Sequence, residues 1–225
     1  MAASNGHQRT SRALLADLEK ALLLRLAAAL PRRIMPDHLT MLGLLAATGI
    51  AITYMLSNRD PRWLWAASAL FVVHWFGDSL DGTLARVRRA ERPRYGFYLD
   101  HLTDAYATLA IGLGLGLSPY MLLATGLAVV IAYLLLSINV YLETHVFGEF
   151  TFSYGRFGPT EARLLLIVLN TAAWLGAALP FTLFGIGMTL FDVLGLAATL
   201  GMLALLLARA IGNLRRLARL EPPRE

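Results

Sequence analysis

Four aspartates stand in stretches otherwise apolar enough to enter a membrane: Asp78 and Asp81, then Asp100 and Asp104. At a helix centre each costs at least ~2.5–3.5 kcal/mol on insertion scales, so acids kept there have work to do. The first pair is three residues apart and the second four, and either spacing sets both members on one helical face. Only a short connector separates the two pairs, which places them at the same membrane depth. Carboxylates facing one another repel unless cations lie among them. Oxygen donors in a chain without cysteine suit a hard divalent ion, Mg²⁺ or Mn²⁺, and four acids are enough for two ions. Competing readings are ion pairs with Arg86 and its neighbours, or a path for protons or divalent cations, which would make the chain a transporter.

The elements that must position these acids follow from composition. Of 225 residues, 57% are hydrophobic and 16% charged, against ~25% charged in soluble domains, and the mean hydropathy is +0.58. This excludes a disordered chain, a collagen-like repeat and an ordinary soluble enzyme. A membrane span needs ~20 apolar residues. Six runs qualify: Leu39–Leu56, Trp63–Leu84, Gly96–Leu117, Met121–Leu142, Leu164–Leu179 and Phe191–Leu207. The expected fold is therefore an all-α integral membrane protein with six transmembrane helices. An N-terminal amphipathic helix over 11–30 carries too many charges to cross and is expected to lie on the surface. Its apolar face is read as Leu14, Leu15, Leu18, Leu22 and Leu26, with Arg12, Glu19 and Lys20 opposite. The whole chain, 1–225, reads as one polytopic domain: surface helix 11–30, membrane core 36–208, basic tail 209–225.

The net charge is +5, and 19 of the 20 basic residues are arginine, Lys20 being the exception. Most lie before the first span, between spans two and three, between four and five, or in the tail. By the positive-inside bias both termini and these loops face the cytoplasm, and no cleavable signal segment is read at the N-terminus. Such a basic balance points to anionic lipid headgroups and not to nucleic acid. Gly112, Gly116, Gly185, Gly187, Gly195 and Gly201 read as sites of close helix packing.

The run Asp78-Ser-Leu-Asp81-Gly82-Thr-Leu-Ala85-Arg86, nine further residues, then Gly96, Asp100 and Asp104 resembles the signature of the CDP-alcohol phosphotransferase family. All eight fixed positions match, a coincidence on the order of 10⁻¹⁰ per starting position at average residue frequencies. The resemblance extends to the six-span layout and the amphipathic first helix. It implies an enzyme of membrane phospholipid biosynthesis that moves a substituted phosphate group from a CDP-linked donor to an alcohol hydroxyl and releases CMP. It further implies that Asp78, Asp81 and Asp100 are ligands of two divalent cations, and that Asp104 is both ligand and general base. Gly82, Ala85, Arg86 and Gly96 would form the surface for the CDP moiety. Two metals can hold the attacking and leaving oxygens of an in-line displacement, and an arginine can pair with phosphate. Pro36-Asp37-His38-Leu39-Thr40 looks like the family's Pro-Asn-x-Leu-Thr segment, which would add Asp37 and Thr40 to the nucleotide contacts. Here Asp37 replaces the asparagine, and a plain helix start explains the segment equally well. Members are typically homodimers, and the implied location is the cell inner membrane, with the active site open to the cytoplasm.

Metal coordination lowers the proton affinity of Asp104, so His145, with a reference pKa near ~6.5, is a second candidate base. His101 follows Asp100 directly and is read as packing. Arg156, Glu161 and Arg163 are candidate acceptor or headgroup residues. The compact length favours CDP-diacylglycerol as donor. Gly158-Pro159-Thr160-Glu161 looks faintly like a segment of choline- and ethanolamine-phosphotransferases, which would make a CDP-amino alcohol the donor and diacylglycerol the acceptor.

Overall fold

Prolines and glycines punctuate the chain into seven helices and one small hairpin, seen in a computed structural model that describes residues 16–148, 158–183 and 185–222. The helices are α1 (Ala16–Ala29), α2 (Pro36–Leu56), α3 (Trp63–Val87), α4 (Pro93–Gly116), α5 (Leu123–Phe147), α6 (Pro159–Trp174) and α7 (Leu190–Leu220). Proline opens α2, α4 and α6, where its missing N–H costs nothing. Between α6 and α7, β1 (Phe181–Leu183) pairs antiparallel with β2 (Ile186–Met188). Gly185, at φ +80°, makes that turn.

The fold is an all-α membrane-type fold, with leucine, isoleucine and valine exposed along α2, α5 and α7. Helices α2, α5 and α7 are each long and apolar enough to cross a bilayer. Helices α3 and α4, of 25 and 24 residues, have the length but carry the acids. Helix α6, of 16 residues, rises about 24 Å.

Several boundaries differ from the sequence reading. Helix α6 starts at Pro159 and not Leu164, because Glu161 reaches back to accept from the Gly158 amide at 2.9 Å. It ends at Trp174, and Gly176 at φ +82° turns the chain away. Helix α7 continues through Arg209, Arg215, Arg216 and Arg219 to Leu220, so most of the expected tail 209–225 is helix. Arginine is a good helix former, and no proline intervenes before Pro222. The hairpin was not expected: Gly185 and Gly187 belong to it, and a Cβ on either would touch nothing within 4 Å, as at Gly201. These three are not packing glycines.

The surface helix is seen from Ala16, and residues 11–15 lie outside the described residues. The face it turns to the bundle lies beside the leucine row. Leu23 and Ala27 are buried, whereas Leu18 and Leu22 are exposed. Glu19, expected on the polar outside, faces the core and accepts from Trp75 Nε1 of α3 and Thr160 Oγ1 of α6, both at 2.7 Å. Two donors compensate the acid there, and Leu18 and Leu22 remain exposed.

Helix α2 is the spine of the site. It packs on both α3 and α4, which make at most marginal contact with each other, while α6 packs on α3 and α5 on α4. Close approach depends on absent side chains. A Cβ on Gly77 would lie 2.6 Å from the Gly43 nitrogen and from the Leu39 carbonyl oxygen, and one on Gly114 2.4 Å from the Ala51 Cα. Gly112 and Gly116 meet α5 at Gly126, whose Cβ would fall 2.6 Å from the Gly112 carbonyl, and Gly195 meets Thr125. Those expected packing contacts are present. A buried polar chain ties α2, α3 and α6: Tyr54 Oη donates to Asn170 Oδ1 at 2.9 Å, and Asn170 Nδ2 to Ser68 Oγ at 3.2 Å.

Gly77→Ala forces backbone apart next to Asp78. It is expected to cost about 1–3 kcal/mol and to lower the unfolding temperature in detergent. Gly201→Ala, which meets open space, should leave that temperature unchanged or raise it.

Candidate active site

Asp78 and Asp81 lie on the C-terminal half of α3, and Asp100 and Asp104 on the N-terminal half of α4. The two helices run in opposite directions, so both pairs come to the same end of the bundle. Behind them, α2 supplies Thr40, whose hydroxyl donates to Asp81 Oδ2 at 2.5 Å, while the Gly82 amide donates to Asp81 Oδ1 at 2.5 Å. Both oxygens of Asp81 are thereby held. Asp78 and Asp100 are close enough for their charges to act on Asp81, so three carboxylates share one electrostatic environment. Asp104 is half-buried one turn beyond Asp100.

Asp78 has a different partner. Arg163 of α6 donates from Nη2 to Asp78 Oδ2 at 2.5 Å, with side chains only 12% and 24% exposed. The ion pair that sequence offered to Arg86 is made by Arg163 instead. Arg86 is exposed, forms no ion pair among the described residues, and donates to Thr83 Oγ1 at 3.1 Å. Its guanidinium lies over Gly82, 3.5 Å from the place of a Cβ. A Cβ on Gly96 would meet nothing within 4 Å. Neither glycine is needed for packing.

Beneath the acids, Thr40, Gly43, Leu44, His74, Asp78, Thr103 and Ala107 line a cavity of about 10 Å³, the room of roughly one water. His74, one turn before Asp78, is buried, and its Nδ1 has no hydrogen-bond partner among the described residues. At the rim, Arg92 pairs with Asp37 and stacks on Tyr95, 3.9 Å from the ring centre. The bond to Asp37 raises the already high pKa of Arg92. Asp37 thus ties the start of α2 to the α3–α4 connector. Arg88 donates to the carbonyls of Leu30, Pro31 and Ile34 and fastens the α1–α2 turn.

The remaining expected residues are more scattered. His145 is exposed in the last turn of α5 and makes no hydrogen bond or ion pair among the described residues. Glu161 caps α6. Arg156 lies outside the described residues. His101 stacks on Phe97 and against the Tyr141 edge, with ring centres 4.1 and 5.1 Å away, but it is not only packing: its Nδ1 also lies 3.6 Å from Asp100 Oδ2.

Oxygen donors suit a hard divalent ion in kind, and Asp78, Asp81 and Asp100 would be the side chains to hold one. In their present positions no three Asp, Glu or His side chains converge as ligands among the described residues.

Sequence reasoning missed Gly43 and Gly77, His74, Glu19, and a second buried ionic group. Glu143 of α5 is held by Arg209 of α7, with Asn139 and Asn213 donating to Glu143 Oε1 at 2.5 and 2.6 Å. Asn139 and Glu143 stand four apart in an apolar helix, and that spacing was the available signal.

The sequence profile described as CDP-alcohol phosphatidyltransferase matches residues 33–209. A CDP-diacylglycerol–glycerol-3-phosphate 3-phosphatidyltransferase of Cereibacter sphaeroides is 36% identical over 93 residues, covering 39% of this chain and 41% of that protein. A phosphatidylinositol phosphate synthase of Cutibacterium acnes is 31% identical over 90 residues, 40% of this chain and 41% of its own length. The chain thus matches about two fifths of the length of these curated relatives. The profile spans far more, from just before α2 to well inside α7, and takes in all four aspartates and the helices that carry them. By that match this chain is a member of the CDP-alcohol phosphatidyltransferase family.

Proposed function

We propose that this chain is a membrane transferase that moves a phosphatidyl group from CDP-diacylglycerol to the hydroxyl of an alcohol that already bears a phosphate, releasing CMP. The observation that carries this reading is the carboxylate group around Asp81, bordered by two glycines with no packing duty and an exposed arginine without a carboxylate partner among the described residues. Family membership supports the reaction class. One relative is named for CDP-diacylglycerol and glycerol 3-phosphate and the other for phosphatidylinositol phosphate, which favours this donor and a phosphorylated acceptor.

In this reading the acceptor oxygen attacks the phosphorus that carries diacylglycerol. A new P–O bond forms, the bond from that phosphorus to the oxygen bridging to CMP breaks, and CMP leaves with the electron pair. Asp104 takes the acceptor's proton, with His145 as the alternative base. Gly82, Ala85 and Gly96 keep the helix surfaces low enough for the nucleotide to approach, and Arg86 offers a planar, always-charged fork to a phosphate. Thr40 holds Asp81 in place, and Asp37 stands at the nucleotide's side of the α2 start. Arg163, Arg156 and Glu161 are assigned to the acceptor or headgroup side. A pair of Mg²⁺ or Mn²⁺ ions, held by Asp78, Asp81, Asp100 and Asp104, would supply the charge that neutralises the diphosphate.

Helices α2–α7 are taken as six crossings, with both termini, the arginine-rich connector and the site at the cytoplasmic face of the inner membrane. Helix α1 then lies on that face with Leu18 and Leu22 toward lipid, a placement supported by the basic residues at that end of the bundle.

Mass spectrometry of lipids formed from CDP-diacylglycerol and glycerol 3-phosphate is expected to show a phosphatidylglycerol phosphate and stoichiometric CMP. Product only from CDP-ethanolamine and diacylglycerol would reassign the donor, and ion flux without any CMP would remove the enzyme. Asp81→Ala should lower CMP release by at least ~10³-fold, a loss of about 4 kcal/mol of transition-state stabilisation, at an unchanged unfolding temperature. Chelation of divalent ions should stop the reaction, and added Mg²⁺ or Mn²⁺ should restore it. Gly96→Ala should keep or raise the unfolding temperature, since alanine is the better helix former by about 1 kcal/mol, while the KM for the CDP donor rises.

A further inference from the structure

We infer that Glu19 of the surface helix is a positioning residue for the active site: through Thr160 it sets the first turn of α6, and with it Arg163. The inference rests on the reading of Arg163 as an acceptor-side residue. Glu19 Oε1 accepts from Trp75 Nε1 of α3 and from Thr160 Oγ1 of α6 at once, so a single carboxylate oxygen joins the two helices. Each donor stands three residues before one member of the Asp78–Arg163 pair, Trp75 before Asp78 and Thr160 before Arg163. That spacing is close to one helical turn, and the Glu19 bridge is therefore a near neighbour of the pair on both helices.

Helix α6 needs such a support. Among the described residues α3 is the one helix on which it packs extensively, and Asn170 ties its far half to Ser68. At the other end, Glu161 closes the start of α6 on its own Gly158 amide, a bond that shapes the turn without fixing it to a neighbour. Thr160 supplies the fixing. Its base is firm, because Leu23 and Ala27 of α1 share an apolar cluster with Leu80 and Leu84 of α3 and Leu39 of α2. A half-buried carboxylate suits a strut, since hydrogen bonds to a charged acceptor are roughly twice as strong as neutral ones. Arg163 donates to Asp78 from one nitrogen, and a guanidinium has five N–H donors, so it keeps donors for the phosphate of an acceptor. Where those donors stand depends on the first turn of α6, and a misplacement of about 1 Å is enough to weaken productive binding.

The test uses the full chain in nanodiscs and reads CMP release from CDP-diacylglycerol and glycerol 3-phosphate beside hydrogen exchange of the α6 amides. Glu19→Ala and Thr160→Val are expected to raise the KM for glycerol 3-phosphate roughly three- to tenfold, the worth of one ordinary hydrogen bond. The KM for CDP-diacylglycerol should not change. Glu19→Gln keeps an acceptor oxygen and should restore the KM, as should Thr160→Ser, which keeps the hydroxyl. With no substrate present, the amides of Ala162, Arg163 and Leu164 should exchange faster in the Ala and Val variants, and that of Asn170 at its unaltered rate. If Glu19→Ala does not fold, Thr160→Val, which trades a hydroxyl for a methyl of the same shape, decides by the same readouts. Unaltered exchange at the start of α6, two KM values that rise together or not at all, or a Glu19→Gln as impaired as Glu19→Ala would overturn the inference. Faster exchange in the variants, with no CMP released even by the unaltered protein, would support the strut and remove the reading of the substrates instead.

Discussion

An ionised carboxylate inside an apolar helix must find compensating charge or hydrogen bonds within a few ångströms, and the helices around this site are arranged to provide them. Helix α2 brings a hydroxyl to Asp81, α6 brings an arginine to Asp78, and α3 turns its own amide at Gly82 onto the remaining Asp81 oxygen. The same demand recurs away from the site. Glu143 is held by Arg209 and two asparagines, and Glu19 by an indole and a hydroxyl. Each cluster joins helices distant in sequence, so charge compensation fastens the bundle where apolar contact alone is weakly specific in a lipid environment.

The second constraint is closeness of backbones. Thr40 reaches Asp81 only because α2 and α3 cross with Gly43 against Gly77. Side chains there would push the hydroxyl out of range and open the floor on which Asp78 stands. Because α3 and α4 are both held by α2 and barely touch each other, their acidic faces look across a gap and not into a packed seam. Gly82 and Gly96 border that gap without filling any packing role. Fold and site are thus one construction, in which small residues on one side of α2 create close contact and those on α3 and α4 preserve room.

Much of this was legible in the residue string. The apolar runs located all six long core helices, since a stretch of ~20 apolar residues has few other destinations. The aspartate spacings marked which faces would meet. Boundaries were less legible where local chemistry overrode hydropathy. Glu161 extended α6 toward its N-terminus, while arginine-rich helix formers carried α7 past the apolar run, where composition suggested a tail. In the surface helix only Glu19 was misplaced, because hydropathy assigns a lone glutamate outward and cannot see an indole and a hydroxyl waiting on two other helices.

Sequence by itself determined the residue types and their local periodicity: four acids on two helix faces at one depth, flanked by glycine, alanine and arginine, in a chain that must enter a membrane. These follow from the 3.6-residue turn and from transfer energies, which are properties of neighbours along the chain. Tertiary structure alone decided which cation faces which acid. The separation between Asp78 and Arg163 is 85 positions, and nothing in local spacing distinguishes Arg163 from Arg86, eight positions away from Asp78. Only the packing of α6 on α3 sets one guanidinium against the carboxylate and leaves the other over a bare glycine, because ion pairing depends on distance in space and not along the chain.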